Sequence, residues 1–133
     1  MSVLLATNVL IAAFVARGVC HDVFRIVLAE HQLLVSPAII GELERVLLDK
    51  LRIPANRIDE TVAFVAEHAE VVAPEHPADW PASDPSDRWI VASALSGSAD
   101  VLISGDKDLV ESSRGRSVRV LTPRAFWELL RDV

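Results

Sequence analysis

The chain has 133 residues, of which 51% are hydrophobic, 24% charged and 5% aromatic. A chain of that length buries about two-thirds of its extended surface, and the apolar fraction excludes disorder, so one domain spanning residues 1–133 is expected. Lys and Arg number 13 against 19 Asp and Glu, a net charge of −6, which excludes a basic nucleic-acid coat; action on RNA would need a local site, with metal ions offsetting the chain's own charge.

The lone Cys20 excludes an internal disulfide and a Cys-based zinc cluster. The opening stretch to Gly18 is apolar, has no basic leader and is interrupted by Asn8. A membrane span needs about 20 apolar residues, so none is expected, and the compartment is read as reducing and cytoplasmic.

In chain order, Ser2–Leu5 reads as a strand, and Thr7–Ala16 and His21–Glu30 as helices parted by Arg17-Gly18. Leu33–Ser36 reads as a second strand, and Pro37 opens a helix to Lys50; proline at the first helical position loses no bond, since that N–H has no intrahelical partner. Pro54–His68 carries Ile58, Val62, Val65 and Ala66 at helical spacing. Val71–Val72 reads as a short strand, Pro74–Ser83 as an irregular acidic stretch, and Asp84-Pro85 as the start of a helix to Ser96. Val101–Ile103 (strand), Lys107–Glu111 (helical turn), Val118–Leu121 (strand) and Pro123–Leu130 (helix) complete the chain.

Short strands that are apolar throughout suit a parallel sheet covered on both faces. The alternation with helices predicts an α/β fold: a three-layer α/β/α sandwich around a central parallel sheet, with right-handed crossovers. Ligands of such sheets collect beyond the carboxyl ends of the strands.

Three acids fall there. Asp106 lies three residues beyond Val101–Ile103. Glu42 lies in the second turn of the helix opened by Pro37, at the edge of the stripe Ile39, Ile40, Leu43, Val46 and Leu47, about 40° from Val46. Asp87 heads the series Asp87, Ile90, Val91 and Ala94, which places it on an inward-facing stripe. Each has an ordinary explanation: Asp84 as a helix N-cap with Asp87 as its capping-box partner, Asp87 and Asp106 as favourable charges near helix N-termini, Glu42 as a solvated helix-edge carboxylate, and Asp108 as a surface or supporting acid. Their joint placement at one end of one sheet has no such explanation.

Gathered carboxylates raise one another's pKa unless a cation joins them. An all-oxygen set suits Mg²⁺ or Mn²⁺, ions fitted to phosphodiester hydrolysis. No covalent nucleophile is evident. His21, His31, His68 and His76 show no metal-ligand spacing, and Cys20 beside His21 reads as packing. P-loop and dinucleotide-binding fingerprints are absent, and a phosphoacceptor receiver would want acids where this chain has Ala6-Thr7-Asn8.

Taken together, Val-Leu-Leu-Ala-Thr-Asn-Val-Leu, Ser-Pro-Ala-Ile-Ile-Gly-Glu-Leu, Asp-Pro-Ser-Asp-Arg-Trp-Ile-Val-Ala-Ser-Ala, Ile-Ser-Gly-Asp-Lys-Asp-Leu and Leu-Thr-Pro-Arg-Ala-Phe resemble the PIN domains. The likeness is to the small VapC-like toxins of bacterial type II toxin–antitoxin modules, over nearly the whole chain. The resemblance implies a Mg²⁺- or Mn²⁺-dependent endoribonuclease, with Glu42, Asp87 and Asp106 as catalytic metal-site acids and Asn8 and Ser104 organising them. Asp84 and Asp108 are candidates for supporting roles. It further implies an RNA substrate, a cognate antitoxin protein and a homodimer.

One position departs from the family pattern. The first metal-binding Asp, immediately before Thr-Asn, is Ala6 here, and alanine has no ligand atom. Loss of supporting groups alone typically costs 10–100-fold in metal affinity or activity, so the chain as written is expected to be impaired or inactive. Ala6 is either an engineered or selected Asp→Ala change or the mark of a degenerate member that binds protein or RNA partners without cutting. A housekeeping nuclease of the same architecture is a third class. Lys107, Arg114, Arg116, Arg119 and Arg124 are candidates for a phosphate-holding rim, or else ordinary solvated surface. Trp80, Trp89 and Trp127 are candidates for either core or interface anchors.

Overall fold

A computed structural model of the chain describes residues 1–82 and 84–132; Ser83, the end of the expected irregular stretch, lies outside them. The strands are β1 (Ser2–Leu5), β2 (Gln32–Val35), β3 (Ala69–Val71), β4 (Val101–Ile103) and β5 (Val120–Leu121). They form one sheet in the order β3-β2-β1-β4-β5, parallel throughout. The helices are α1 (Thr7–Val15), α2 (Val19–Glu30), α3 (Pro37–Arg45), α4 (Ala55–His68), α5 (Pro85–Ser96), α6 (Lys107–Ser112) and α7 (Pro123–Arg131).

The sheet is central and helices flank it, as the apolar strands predict. β1 sits in the middle, with Leu4 between Leu34 and Leu102. Val3, Leu4, Leu5, Leu102 and Ile103 are fully buried, because strands covered on both faces cannot alternate with polar residues. The edge strand β3 exposes Glu70 and Val71. Its Ala69 pairs with Leu33, so it begins two residues before the expected Val71, and Val72 still donates to Val35 at 2.8 Å. β5 is shorter than expected because only Val120 and Leu121 pair with β4.

Three helices start by the same device, a hydroxyl or carboxylate followed by proline. Ser36 Oγ accepts from the Ile39 N–H at 3.4 Å, Asp84 Oδ1 from Ser86 at 2.9 Å and Thr122 Oγ1 from Ala125 at 3.0 Å, each pairing an N–H that the helix leaves without a partner. Pro37, Pro85 and Pro123 occupy the first helical positions. α1 differs, since its cap position is Ala6 and carries no side-chain bond. The helix expected to reach Lys50 instead widens into a π-helical turn at Val46–Lys50. Ile53 donates to Leu47 at 2.9 Å and Arg52 takes a left-handed φ of 52°, which reverses the chain ahead of Pro54.

Ile39 and Leu43 on α3 and Leu47 in the π-helical turn are buried, as are Ile90, Val91 and Ala94 along α5, as their spacing predicts. On α4, Ile58 and Val65 are buried, whereas Ala66 faces solvent. Trp80 is core at 7% exposure; Trp89 and Trp127 are half-buried. Cys20 is a free, half-buried thiol, and burial pushes its pKa up, in keeping with a packing role. No helix among the described residues is long and apolar enough to cross a membrane.

Candidate functional site

β1 has β2 on one side and β4 on the other, so the chain turns to opposite sides of the sheet at this point. Open parallel sheets bind ligands in the crevice beyond such a switch. The loops leaving β1 and β4 are laced together there. Asn8 Oδ1 accepts from the Gly105 N–H at 2.9 Å, and Asn8 Nδ2 donates to Ser104 Oγ at 3.3 Å. Ser104 Oγ also accepts from the Asp106 N–H at 3.1 Å. Asn8 and Ser104, predicted as organisers, thus hold the backbone that carries Asp106. Ser104 is buried and Asn8 is exposed.

Asp106 caps α6, with Oδ1 accepting from the Asp108 N–H at 2.9 Å. One carboxylate oxygen is therefore spoken for, and Oδ2 remains for another partner. Asp84 caps α5, and the bonds from Ser86 hold its pKa below the ordinary range. The Asp87 N–H goes to the Asp84 carbonyl at 3.1 Å.

Asp87 and Glu42 are half-buried. The Asp87 pKa is raised from the usual 3.8 to about 6, first by burial and then by the charges of Asp106, Asp84, Glu42 and Asp108. Five acids from α3, α5, α6 and the turns before α5 and α6 therefore share one electrostatic neighbourhood, although they are up to 66 positions apart in sequence (108 − 42). Asp87 and Asp108 also line a cleft of about 240 Å³ with Pro81, Ala82, Leu109 and Ser112.

The fit to a divalent cation is partial. The donors are all oxygens, as Mg²⁺ and Mn²⁺ prefer, and the field around Asp87 is one that a cation would relieve. The Thr7 hydroxyl, which follows the fully buried Ala6 in the chain, is buried without a hydrogen-bond partner. Yet among the described residues no three His, Cys, Asp or Glu side chains are grouped closely enough to hold a metal ion. Ala6 contributes no ligand. The donor set fits in kind and falls short in number.

The histidines stay outside the site: His21 and His68 ring nitrogens pair with the carbonyls of Ala13 and Phe64. A larger, mainly apolar groove of about 600 Å³ lies elsewhere, beside Met1, Ile26, His31, Trp127 and Leu130. Sequence spacing does not reveal the part of the acidic cleft's wall formed by Pro81 and Ala82. Its signal is Trp80 within a proline-rich stretch, an expensive residue to leave in a loop unless it is anchored.

The fold agrees with comparisons to known proteins. The structure is similar to the crystal structure of VapBC2 from Rickettsia felis bound to a DNA fragment from their promoter, with a TM-score of 0.69 and 12% sequence identity over 92% of this chain and 98% of that one. No curated protein matches the sequence. A family model described as PIN domain matches residues 2–108, and the chain therefore belongs to the PIN domain family.

Proposed function

We propose that this chain is a VapC-like toxin of a toxin–antitoxin module, an endoribonuclease by descent whose divalent-metal site lacks one carboxylate at Ala6. The observation that carries the reading is that the charges of Glu42, Asp84, Asp106 and Asp108 all act on the half-buried Asp87, in a sheet whose order places a switch point at β1. The fold's likeness to the VapBC2 structure supports a protein antitoxin as partner, and the family resemblance supports a homodimer.

Glu42, Asp87 and Asp106 would hold Mg²⁺ or Mn²⁺, which when bound supplies Lewis acidity and an activated water for phosphodiester hydrolysis. The chain's own residues do the positioning. Asn8 and Ser104 fix the loop after β4 that carries Asp106. Asp87, with a pKa of about 6, carries a proton in mildly acidic solution and gives it up where a cation enters. Asp84 and Asp108 add negative charge without being needed as ligands.

The test is to restore the missing carboxylate. Ala6→Asp is expected to cut single-stranded RNA in Mg²⁺ or Mn²⁺ at least about tenfold faster than the parent chain. Asp87→Asn in that background is expected to abolish the gain. A second reading, a binding module that no longer cuts, is favoured by the absence of a three-ligand group among the described residues. It predicts no cleavage by Ala6→Asp across varied RNAs.

A further inference from the structure

Pro81 and Ala82 form part of the wall of the acidic cleft, and the segment leading to them is tied at two points. The Ala78 N–H donates to the Arg88 carbonyl at 2.9 Å, and Arg88 Nε donates back to the Ala78 carbonyl at 2.9 Å, which fixes the segment to α5 one residue from Asp87. The Trp80 indole N–H donates to Ser112 Oγ at 2.8 Å, which fixes it to α6. Pro81, Ala82 and Ser112 line the cleft together with Asp87 and Asp108.

On the outer side of Trp80 lies the guanidinium of Arg116, with Cζ 5.2 Å from the ring centroid. Arg116 is exposed while Trp80 is buried, so the indole serves as a shelf for the cation and is closed to any other ring. Arg116 is brought there by a tight turn: its N–H donates to the Ser113 carbonyl at 3.0 Å, and Gly115 takes a left-handed φ of 74°, open to glycine without strain. A guanidinium stacked on an aromatic face keeps its edge donors free and loses little freedom when it binds an oxyanion.

We propose that Arg116, held on Trp80, is a substrate-positioning residue that grips a backbone phosphate of single-stranded RNA at the rim of the acidic cleft. The cleft itself is lined by carboxylates, so a polyanion needs a fixed positive group at its mouth in addition to any cation within it. Arg116 meets that need because Trp80 links it, through Ser112, to the cleft that Asp87 also lines. The inference rests on the nuclease reading above, and its test is arranged so that the two can fail separately.

The chain as it stands, with Ala6, allows RNA binding to be measured with cleavage suppressed. A fluorescein-labelled single-stranded RNA is titrated with the protein in Mg²⁺ at several salt concentrations, and anisotropy gives Kd and its salt dependence. Arg116→Gln is expected to weaken binding about fivefold and to flatten the salt slope by about one counterion. Arg116→Lys is expected to recover part of the loss, and Trp80→Phe, which keeps the apolar bulk, to reproduce part of it. Arg25→Gln on α2, the same change of charge at an exposed position outside the cleft, is expected to leave both quantities unchanged. Equal effects of Arg116→Gln and Arg25→Gln, or no RNA binding by the parent chain at low salt, overturn the proposal. If Ala6→Asp cleaves RNA while Arg116→Gln in that background keeps the same KM, the inference alone fails. If Ala6→Asp is inert and nothing binds RNA, both fail.

Discussion

Asp87 is the residue on which the acidic neighbourhood leaves its clearest mark. Its folded pKa of about 6 lies above the ordinary 3.8, so the folded chain holds this proton more tightly than the unfolded one. The stability it confers is fully present below about pH 4 and is lost as pH rises through about 6. In chelator, urea unfolding is expected to show stability falling across that interval, and Asp87→Asn is expected to flatten the fall. Equal pH slopes for the two chains would contradict the charge cluster. Asp84 contributes with the opposite sign, its lowered pKa placing any loss at lower pH, so the two acids separate by window. Ala6 also matters as a cap: an extended residue with no side-chain bond opens α1, a position where Asp is worth about 1 kcal/mol more than Ala.

At the scale of elements, α5 must lie close against the sheet for Asp87 to reach the crevice. The approach is tight at its far end. A Cβ on Gly97 would stand 2.9 Å from both Leu34 Cδ1 and Val72 Cγ1, side chains that are themselves buried. Gly97→Ala is expected to destabilise the chain by about 1–3 kcal/mol through overpacking, measured by chemical denaturation; an unchanged midpoint would show that the two side chains yield freely. The central strands β1, β2 and β4 were legible because strands buried on both faces are apolar without interruption. The helix starts were legible because Ser-Pro, Asp-Pro and Thr-Pro have a local mechanism. β3 and β5 were legible only to within a residue or two, since edge pairing sets their ends, and the π-helical turn at Val46–Lys50 depends on the tertiary reversal at Arg52. The acids could be named from sequence because each sits just after a strand or on an inward stripe. Their spacing in three dimensions could not, because it depends on how α3, α5 and α6 are placed by tertiary packing. Nor could the Trp80 wall, whose bonds to Ser112 and Arg88 span 32 and 10 positions.

For the molecule as a whole, a chain of net charge −6 concentrates carboxylates at the switch point of its sheet, where a cation would do most to relieve them. That arrangement is costly without a cation and useful with one, which links the fold's stability to its chemistry. Placing Asp at position 6 adds a carboxylate at a fully buried position. In chelator the Ala6→Asp chain is therefore expected to melt lower than the parent, the repulsion and desolvation outweighing the gained cap. Added Mg²⁺ is expected to raise its melting temperature more than the parent's. The most direct measurement of the central claim is titration of both chains with Mn²⁺, followed by paramagnetic broadening of backbone resonances. Broadening is expected to centre on Glu42, Asp87 and Asp106 in both, with Ala6→Asp binding at least about tenfold more tightly. Broadening scattered over unrelated surface acids, or equal affinity in the two chains, would contradict it.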